Sequence, residues 1–431
     1  MVATPILIIL AGGASSRMWP LQEKSLIKFG QDPLLLTQLK RYASLGITEA
    51  VIVGNSENVA MMRHIADQSD MTVQVTIQPE PIGMGDAILR AAEKLEGRKD
   101  EAIYITQIHD LTDIKMHDDM LKMYRSNPNA TYMAGVEMQD YFPGGYLIVN
   151  DDGHITGIIE KPGVANRPSN FVNIVAHIHA HAGKLCNEIQ KQYDAKITSD
   201  DHYERAMDVL MKDNPFYLVG YSGRWDALKF PWHVLDIMDT FLKEIDGQQI
   251  ADDVFISDKA SIVGNVIIES GAKIFPGAAV VGPAYIGKNT IVGNNALVRN
   301  SMVLNDCQVG FTTEVARSYV ADGVGLHACR VLDSIFADGV NFSAGCTTAN
   351  LRIDKGIVKT SVKGNRMATG RDKFGAVVGT HAFISVDAMT MPGVKIGQNA
   401  IVGPGTHVYS DVPNNAKLLV KQNQELITSD D

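Results

Sequence analysis

Gly12 and Gly13 close the aliphatic run that ends at Leu10, and Arg17 and Lys24 follow on the same stretch. A glycine-rich turn after a buried strand presents backbone N–H groups that cradle phosphate oxygens. Glycine pairs in that position are common, so the turn alone is a weak signal. The two cations strengthen it, because a guanidinium and an ammonium can neutralise a triphosphate and its pyrophosphate leaving group.

The elements that must position this loop are written in the flanking pattern. Short aliphatic runs recur at Ala50–Val53, Val73–Ile77, Ala102–Ile108 and Thr131–Val136, with helical stretches between the first of them. That alternation predicts an α/β, Rossmann-like doubly wound sheet. The second half is different. Ile256, Ile262, Ile268, Ile274, Val280, Ile286, Val292, Val298 and Leu304 fall at a strict stride of six. Three six-residue steps close one triangular coil of a parallel β-helix, each placing one aliphatic side chain inward. A β-sandwich is disfavoured because its strands recur at longer spacing. Gly264, Gly277, Gly287 and Gly293 are expected at the corners. The stride returns at Ile384, Thr390, Ile396, Val402 and Val408, so the β-helix is expected over Ala251–Val412 with an irregular middle. The domain division expected is 1–250, with a linker helix in 226–250, and 251–431.

A net charge of −10 without a long basic run excludes a general nucleic-acid binder and leaves room for small anions in local basic pockets. Cys186, Cys307, Cys329 and Cys346 have no metal-binding spacing and read as reduced thiols of a cytoplasmic protein. The apolar start lacks a basic flank, so it reads as a strand and not as a signal peptide, and no membrane span is expected.

The motifs of the first half, taken in order, resemble those of the sugar-1-phosphate nucleotidylyltransferases. Gly12, Gly13, Arg17 and Lys24 resemble the family's glycine-rich signature; Gln78 through Gly83 and Gly85, its base-reading segment; His109-Asp110, the end of its metal-binding strand. Glu160-Lys161-Pro162 matches the family's EKP motif, Ser169–Asn173 resembles its sugar-binding asparagine segment, and Arg224-Trp225-Asp226 its second aspartate site. The resemblance implies that Asp110 and Asp226 hold Mg²⁺, that Gln78 meets the imide edge of uracil or thymine, and that Gly145, Glu160, Lys161 and Asn173 bind the sugar phosphate. Arg17 and Lys24 would serve the reacting phosphates. The plainer readings are a helix N-cap for Asp110, a surface cap for Asp226 and an exposed ion pair for Glu160. The chain departs from the signature at Ser15 for a glycine, Glu23 for a proline, Met84 for a threonine and His109 for a glycine.

The second half resembles the acetyltransferase domain of the archaeal-type bifunctional nucleotidylyltransferase/acetyltransferases, through Ala344–Arg352, a basic insertion over Lys363–Lys373 and Met391–Gly397. That resemblance implies a left-handed β-helix and a homotrimer assembled through it. It also implies an acetyl-CoA site with His327 as base and Asn350 and Lys359 on the sugar and its phosphate. Arg330, Ala316 and Gly356 depart from the family's tyrosine and two lysines, with Arg317 and Lys355 as neighbouring cations; the plainer reading of His327 is a satisfied histidine on a coil corner. The expected function is transfer of a nucleotidyl group from UTP or dTTP to a sugar 1-phosphate, with N-acetylation of an amino-sugar 1-phosphate as a second activity. The alternative is a regulatory or scaffold subunit that binds nucleotide sugars without turnover.

Overall fold

A computed structural model describes residues 2–21, 23–195 and 200–427. The chain forms two compact units, Met1–Ala14 with Asp32–Ala227, and Ser15–Gln31 with Leu228–Asp431. The first unit runs β1 (Ile6–Leu10), α1 (Leu34–Ser44), β2 (Glu49–Gly54), α2 (Val59–Ala66), β3 (Thr72–Ile77), α3 (Met84–Ala92), β4 (Ile103–Gln107), β5 (Asp110–Thr112) and α4 (Ile114–Ser126). It continues through β6 (Thr131–Glu137), β7 (Gly145–Val149), β8 (Ile155–Glu160), β9 (Phe171–His179), α5 (Ala182–Asp194), α6 (His202–Leu210), β10 (Phe216–Tyr221) and β11 (Trp225–Ala227).

The main sheet has the order β10, β6, β9, β4, β1, β2, β3. β1 pairs in parallel with β2 and β4, as expected of a Rossmann-like sheet, and every residue of its ILIIL run is buried. A strand with no polar face has to be covered on both sides. Ala87, Ile88 and Ala91 of α3 share one core cluster with Ile6, Ile8 and Leu10. β9 runs antiparallel to both β4 and β6, making the sheet mixed.

Buried polar side chains tie this sheet together. The Tyr203 hydroxyl meets His177 Nδ1 at 2.7 Å and His179 Nε2 at 2.9 Å, and His177 Nε2 meets Asn173 Oδ1 at 2.9 Å. His117 lies between the Tyr104 hydroxyl at 2.5 Å and Thr112 Oγ1 at 3.0 Å. Burial pushes all three histidines down to about 3, so they are neutral near pH 7.

In the second unit, α7 (His233–Lys243) precedes the left-handed β-helix, whose first strand, Gln248–Ile250, pairs with Val266–Ile268. Three parallel sheets of eight, nine and eight strands form its faces. Ile256 pairs with Ile274, Ile262 with Val280 and Ile268 with Ile286, so one coil is three hexapeptides and inward aliphatics stack on their equivalents. The stack is one dry column, with Ile274, Val280, Ile286, Val292 and Val298 fully buried.

The stride slips once within the run expected to be regular. Val303 pairs with Ile286 and joins the core column, while Leu304 is buried outside it. From there the coils shorten, as in the pairings Val315 with Val331 and Val320 with Phe336. A larger excursion then carries the antiparallel hairpin Lys359–Val362/Asn365–Ala368 out of the coil before Phe336 meets Val378. The β-helix extends past the expected end, since Lys417–Leu418 pairs with Ile401–Val402. The corner glycines act in two ways. Gly277 has φ +75°, whereas Gly287 lacks a positive φ and is required because a Cβ there would lie 2.4 Å from the Leu304 carbonyl carbon. Cys307, Cys329 and Cys346 are buried free thiols, and burial pushes the first two up to about 12.

The histidine network sets an acid limit on stability. An unfolded histidine titrates near 6.5, well above the buried groups, so the unfolded chain takes up protons first as pH falls. Stability is full above pH 6.5 and is lost below it, with a slope of about 1.4 kcal/mol per pH unit for each such histidine. Thermal unfolding followed from pH 7.5 to 5 should show a falling Tm that flattens when His177 and His179 are both replaced by Gln.

Candidate active site

The first unit gathers the residues expected on the nucleotide. The Gln78 side chain is buried, and its Nε2 donates to the Gly83 carbonyl at 2.9 Å and to Asp86 Oδ2 at 3.1 Å. Both amide hydrogens are therefore engaged, leaving Oε1 as the acceptor. A Cβ on Gly12 would lie 3.0 Å from that Oε1, whereas one on Gly13 would meet nothing within 4 Å. Gly83 has φ +108° and opens α3, with the Asp200 carbonyl 2.8 Å from where a Cβ would stand. Met84, in place of the family's threonine, accepts from Gln107 Nε2 at its sulfur at 3.0 Å.

The residues expected on the sugar also converge. Gly145 and Glu160 face each other across β7 and β8, and a Cβ on Gly145 would lie 3.1 Å from Glu160 Oε2 and 3.9 Å from Asn173 Cβ. Asn173 is held by the His177 network. Lys161 Nζ lies 3.1 Å from Glu160 Oε1, both side chains being exposed. A cavity of about 810 Å³ lies here, lined by Gly83, Met84, Ile158, Ile159, Glu160 and Lys161 on one side and by Asp200, Asp201, Glu204, Arg205 and Asp208 on the other. The contribution of α6 is absent from the sequence reading. Glu204 follows Tyr203 in a region with no motif, and only the fold brings it to Glu160. Its Oε2 is buried without a hydrogen-bond partner among the described residues, and burial, reinforced by Asp201, Asp200 and Glu160, pushes its carboxyl up to about 7.

Asp110 opens β5 and does not cap a helix; Asp113 precedes α4. β5 pairs antiparallel with β11, setting Asp110 opposite Ala227 and Asp226 opposite Leu111. Trp225 donates its indole N–H to Asp110 Oδ1 at 3.1 Å, and Asp226 Oδ2 sits 2.6 Å from Arg224 Nε. Among the described residues no group of three or more His, Cys, Asp or Glu side chains is placed to hold a metal ion. Magnesium commonly takes one or two carboxylates with substrate phosphates and water, and the paired strands β5 and β11 each carry one carboxylate of that kind, Asp110 and Asp226.

The cations of the phosphate loop belong to the second unit. The Ser15 hydroxyl donates to Glu23 Oε1 at 2.9 Å, and that same oxygen accepts from the Ser25 amide at 3.3 Å and its hydroxyl at 3.0 Å. Ser15 holds φ +44°. Two departures from the family signature are therefore partners, and Lys24 follows Glu23 at the start of a short 3₁₀ turn. The Arg17 guanidinium lies 5.5 Å from the Phe230 ring centroid.

On the β-helix, His327 is exposed, and Gly310 of the preceding coil stacks beneath it, where a Cβ would lie 3.7 Å from His327 Nδ1. Asn350 Nδ2 donates to Asp333 Oδ2 at 2.5 Å, and Arg317 grips the same carboxylate through Nε at 2.7 Å and Nη2 at 2.6 Å. Arg317 is therefore already paired at the position next to the missing lysine. Lys359 is exposed at the start of the excursion hairpin.

Fold and site together define a nucleotidyl transferase-type domain joined to a hexapeptide β-helix. The nucleotidyl transferase family profile matches residues 6–221, and the profile of the GMPPB C-terminal domain matches 262–365. A bifunctional sugar-1-phosphate nucleotidylyltransferase/acetyltransferase of Sulfurisphaera tokodaii is 31% identical over 94% of this chain and 97% of its own. Bifunctional proteins GlmU of Methanococcus vannielii and Methanocaldococcus jannaschii are 26% and 28% identical, each over 97% of this chain and 98% of its own. The chain belongs to the bifunctional sugar-1-phosphate nucleotidylyltransferase/acetyltransferase family. No helix among the described residues is long and apolar enough to cross a membrane.

The cavity predicts a pH signature at Glu204. Its folded-state value, about 7, lies above that of an unfolded glutamate, so the stability it contributes is present in acid and lost as pH rises toward and through 7. Glu204→Gln, which carries no such charge, should melt higher than the wild type at pH 8 and equally at pH 5. Equal melting at both values would place the carboxyl in water.

Proposed function

We propose that this chain transfers a nucleotidyl group from UTP or dTTP to a hexose or N-acetylhexosamine 1-phosphate, releasing pyrophosphate. The observation that carries the reading is a cavity of about 810 Å³ in the first unit, where Gly83 and Met84, expected on the base, and Glu160 and Lys161, expected on the sugar, line one space. A nucleotide sugar has both parts.

The chemistry needs positioning and charge neutralisation. A phosphate oxygen of the sugar 1-phosphate attacks the α-phosphorus in line, the bond to the bridging oxygen of the β-phosphate breaks, and pyrophosphate leaves. Arg17 and Lys24 neutralise the triphosphate and the departing pyrophosphate. Magnesium, held by Asp110 and Asp226, would supply further charge neutralisation. Gln78 accepts the imide N–H of a pyrimidine at Oε1, while Gly12 and Gly13 let the loop approach the phosphates. Glu160 accepts from sugar hydroxyls, Asn173 is fixed by His177 to bind the sugar, Gly145 leaves it room, and Lys161 meets its phosphate.

A second activity is proposed for the β-helix: acetyl transfer from acetyl-CoA to an amino-sugar 1-phosphate, with His327 taking the amine proton and Asn350 and Lys359 binding the sugar and its phosphate. The exposed His327 favours it, and Phe311, 56% exposed beside Gly310, favours a neighbouring copy completing the site in a homotrimer. The buried free thiols suit a reducing cytoplasm.

Pyrophosphate release across a panel of triphosphates and sugar phosphates tests the reading. UTP or dTTP should lead, and Asp110→Asn should lower kcat/KM by about 100-fold or more, Lys24→Ala by about tenfold or more, with melting unchanged. Release with no pair would leave a nucleotide-sugar-binding subunit; equal use of ATP or GTP would refute the Gln78 assignment. His327→Ala should abolish thiol release from acetyl-CoA and leave pyrophosphate release intact.

A further inference from the structure

Lys395 occupies a two-residue strand of the β-helix, in the Met391–Gly397 stretch, and is only 2% exposed. Lysine is almost never buried to this extent without a partner, because desolvating an ammonium is costly. Here burial holds the ammonium below the ordinary lysine range, with Asp411 opposing the shift. Beside that charge, its ammonium has a hydrogen-bond partner from far outside the β-helix. Lys395 Nζ donates to the backbone carbonyl of Trp19 at 3.1 Å and lies 5.3 Å from the centroid of the Trp19 ring.

The same segment is gripped around that contact and again further along. Trp19 Nε1 donates to Asn414 Oδ1 at 2.9 Å, and Gln398 Nε2 donates to the Pro20 carbonyl at 3.3 Å. Beyond Lys24, the Tyr319 hydroxyl donates to the Lys28 carbonyl at 2.8 Å, Lys28 Nζ lies 2.5 Å from Asp322 Oδ2, and Phe29 stacks on Phe241 at 5.1 Å. Between the two grips the seat is hollow. A cavity of about 160 Å³ is bounded by Leu21, Leu26 and Ile27 of the segment and by Leu304, Tyr319 and Ala337 of the β-helix. Packing does not fill this space, so the polar anchors fix the backbone that carries Arg17 and Lys24.

We propose that the β-helix is the seat of the phosphate-binding segment, with Lys395 and Tyr319 as positioning residues that hold Arg17 and Lys24 for the triphosphate. This rests on the nucleotidyl-transfer reading above and deepens it: a coil assigned by resemblance to acetyl transfer would then serve the other reaction. Misplacement of a reacting group by about 1 Å can cost about 100-fold in rate, so loosening one grip is expected to cost about tenfold.

The test uses the full chain as Lys395→Met, Lys395→Arg and Tyr319→Phe. Lys395→Met removes the donor and keeps the stem; it should weaken binding of inorganic tripolyphosphate about tenfold, speed amide exchange over residues 15–31, and lower kcat/KM for pyrophosphate release about tenfold. Lys395→Arg, which retains a cationic donor, should restore most of each, and Tyr319→Phe should give a smaller loss of the same kind. Wild-type exchange and tripolyphosphate affinity in both Lys395→Met and Tyr319→Phe would overturn the proposal, as would faster exchange with unchanged affinity. Where Lys395→Met does not fold, Tyr319→Phe decides. Were the wild type to release no pyrophosphate from any substrate pair, the nucleotidyl-transfer reading would fail, while exchange and tripolyphosphate affinity would still report on the seat.

Discussion

Each face of the β-helix stands because one aliphatic side chain per strand stacks on its equivalent a coil away. The pairings of Ile274 with Val292 and Val280 with Val298 repeat that contact from end to end. Burying such a column gives a stiff frame, since close-packed side chains at native density have little room to shift. Stiffness is what the outside of the column needs. Leu304, displaced from the stack by Val303, turns its bulk to the wall facing the Leu21–Ile27 stretch, so a one-residue slip in the repeat becomes part of the seat for the phosphate loop.

The loop shows how departures from a family pattern can compensate one another. Ser15 and Glu23, taken singly, remove a glycine's conformational freedom and a proline's rigidity. Together they form a hydrogen bond of 2.9 Å, and the Glu23 carboxylate also ties down Ser25. A carboxylate accepting two hydroxyls and an amide can fix a turn as firmly as a proline, since charge-assisted hydrogen bonds are stronger than neutral ones. The positive φ of Ser15 remains as local strain, held by its neighbours. The loop thus keeps its role with a different internal chemistry.

Much of this was legible in the sequence because it is periodic or local. The hexapeptide stride marks the inward column from Ile256 to Val298, and the ILIIL run marks a strand covered on both faces. The convergence of Gly145, Glu160 and Asn173 was reachable only through the resemblance, because strand pairing and not spacing brings them together. Glu204 was not legible at all. Nothing in HYERAMDVL distinguishes a carboxyl turned toward a cavity from one on a solvated helix face, and its perturbation comes first from burial, with Asp201 and Asp200 just upstream and Glu160 from β8 adding to it. Lys395 was read as part of a family motif, and its burial under Trp19 depends on a segment more than 370 residues earlier in the chain.

The aspartates show what strand pairing adds to a motif. The resemblance implies that Asp110 and Asp226, far apart in the chain, hold one metal, and the pairing of β5 with β11 is what brings the strands that carry them together. Asp110 lies opposite Ala227 and Asp226 opposite Leu111, and the Trp225 indole donates to Asp110 Oδ1 at 3.1 Å. An indole N–H bonded to a carboxylate orients it without adding charge. Two carboxylates leave a divalent ion with little net charge of its own, so the triphosphate and the departing pyrophosphate still need cations from the protein. That need is what makes the placing of Arg17 and Lys24 on the seated loop matter.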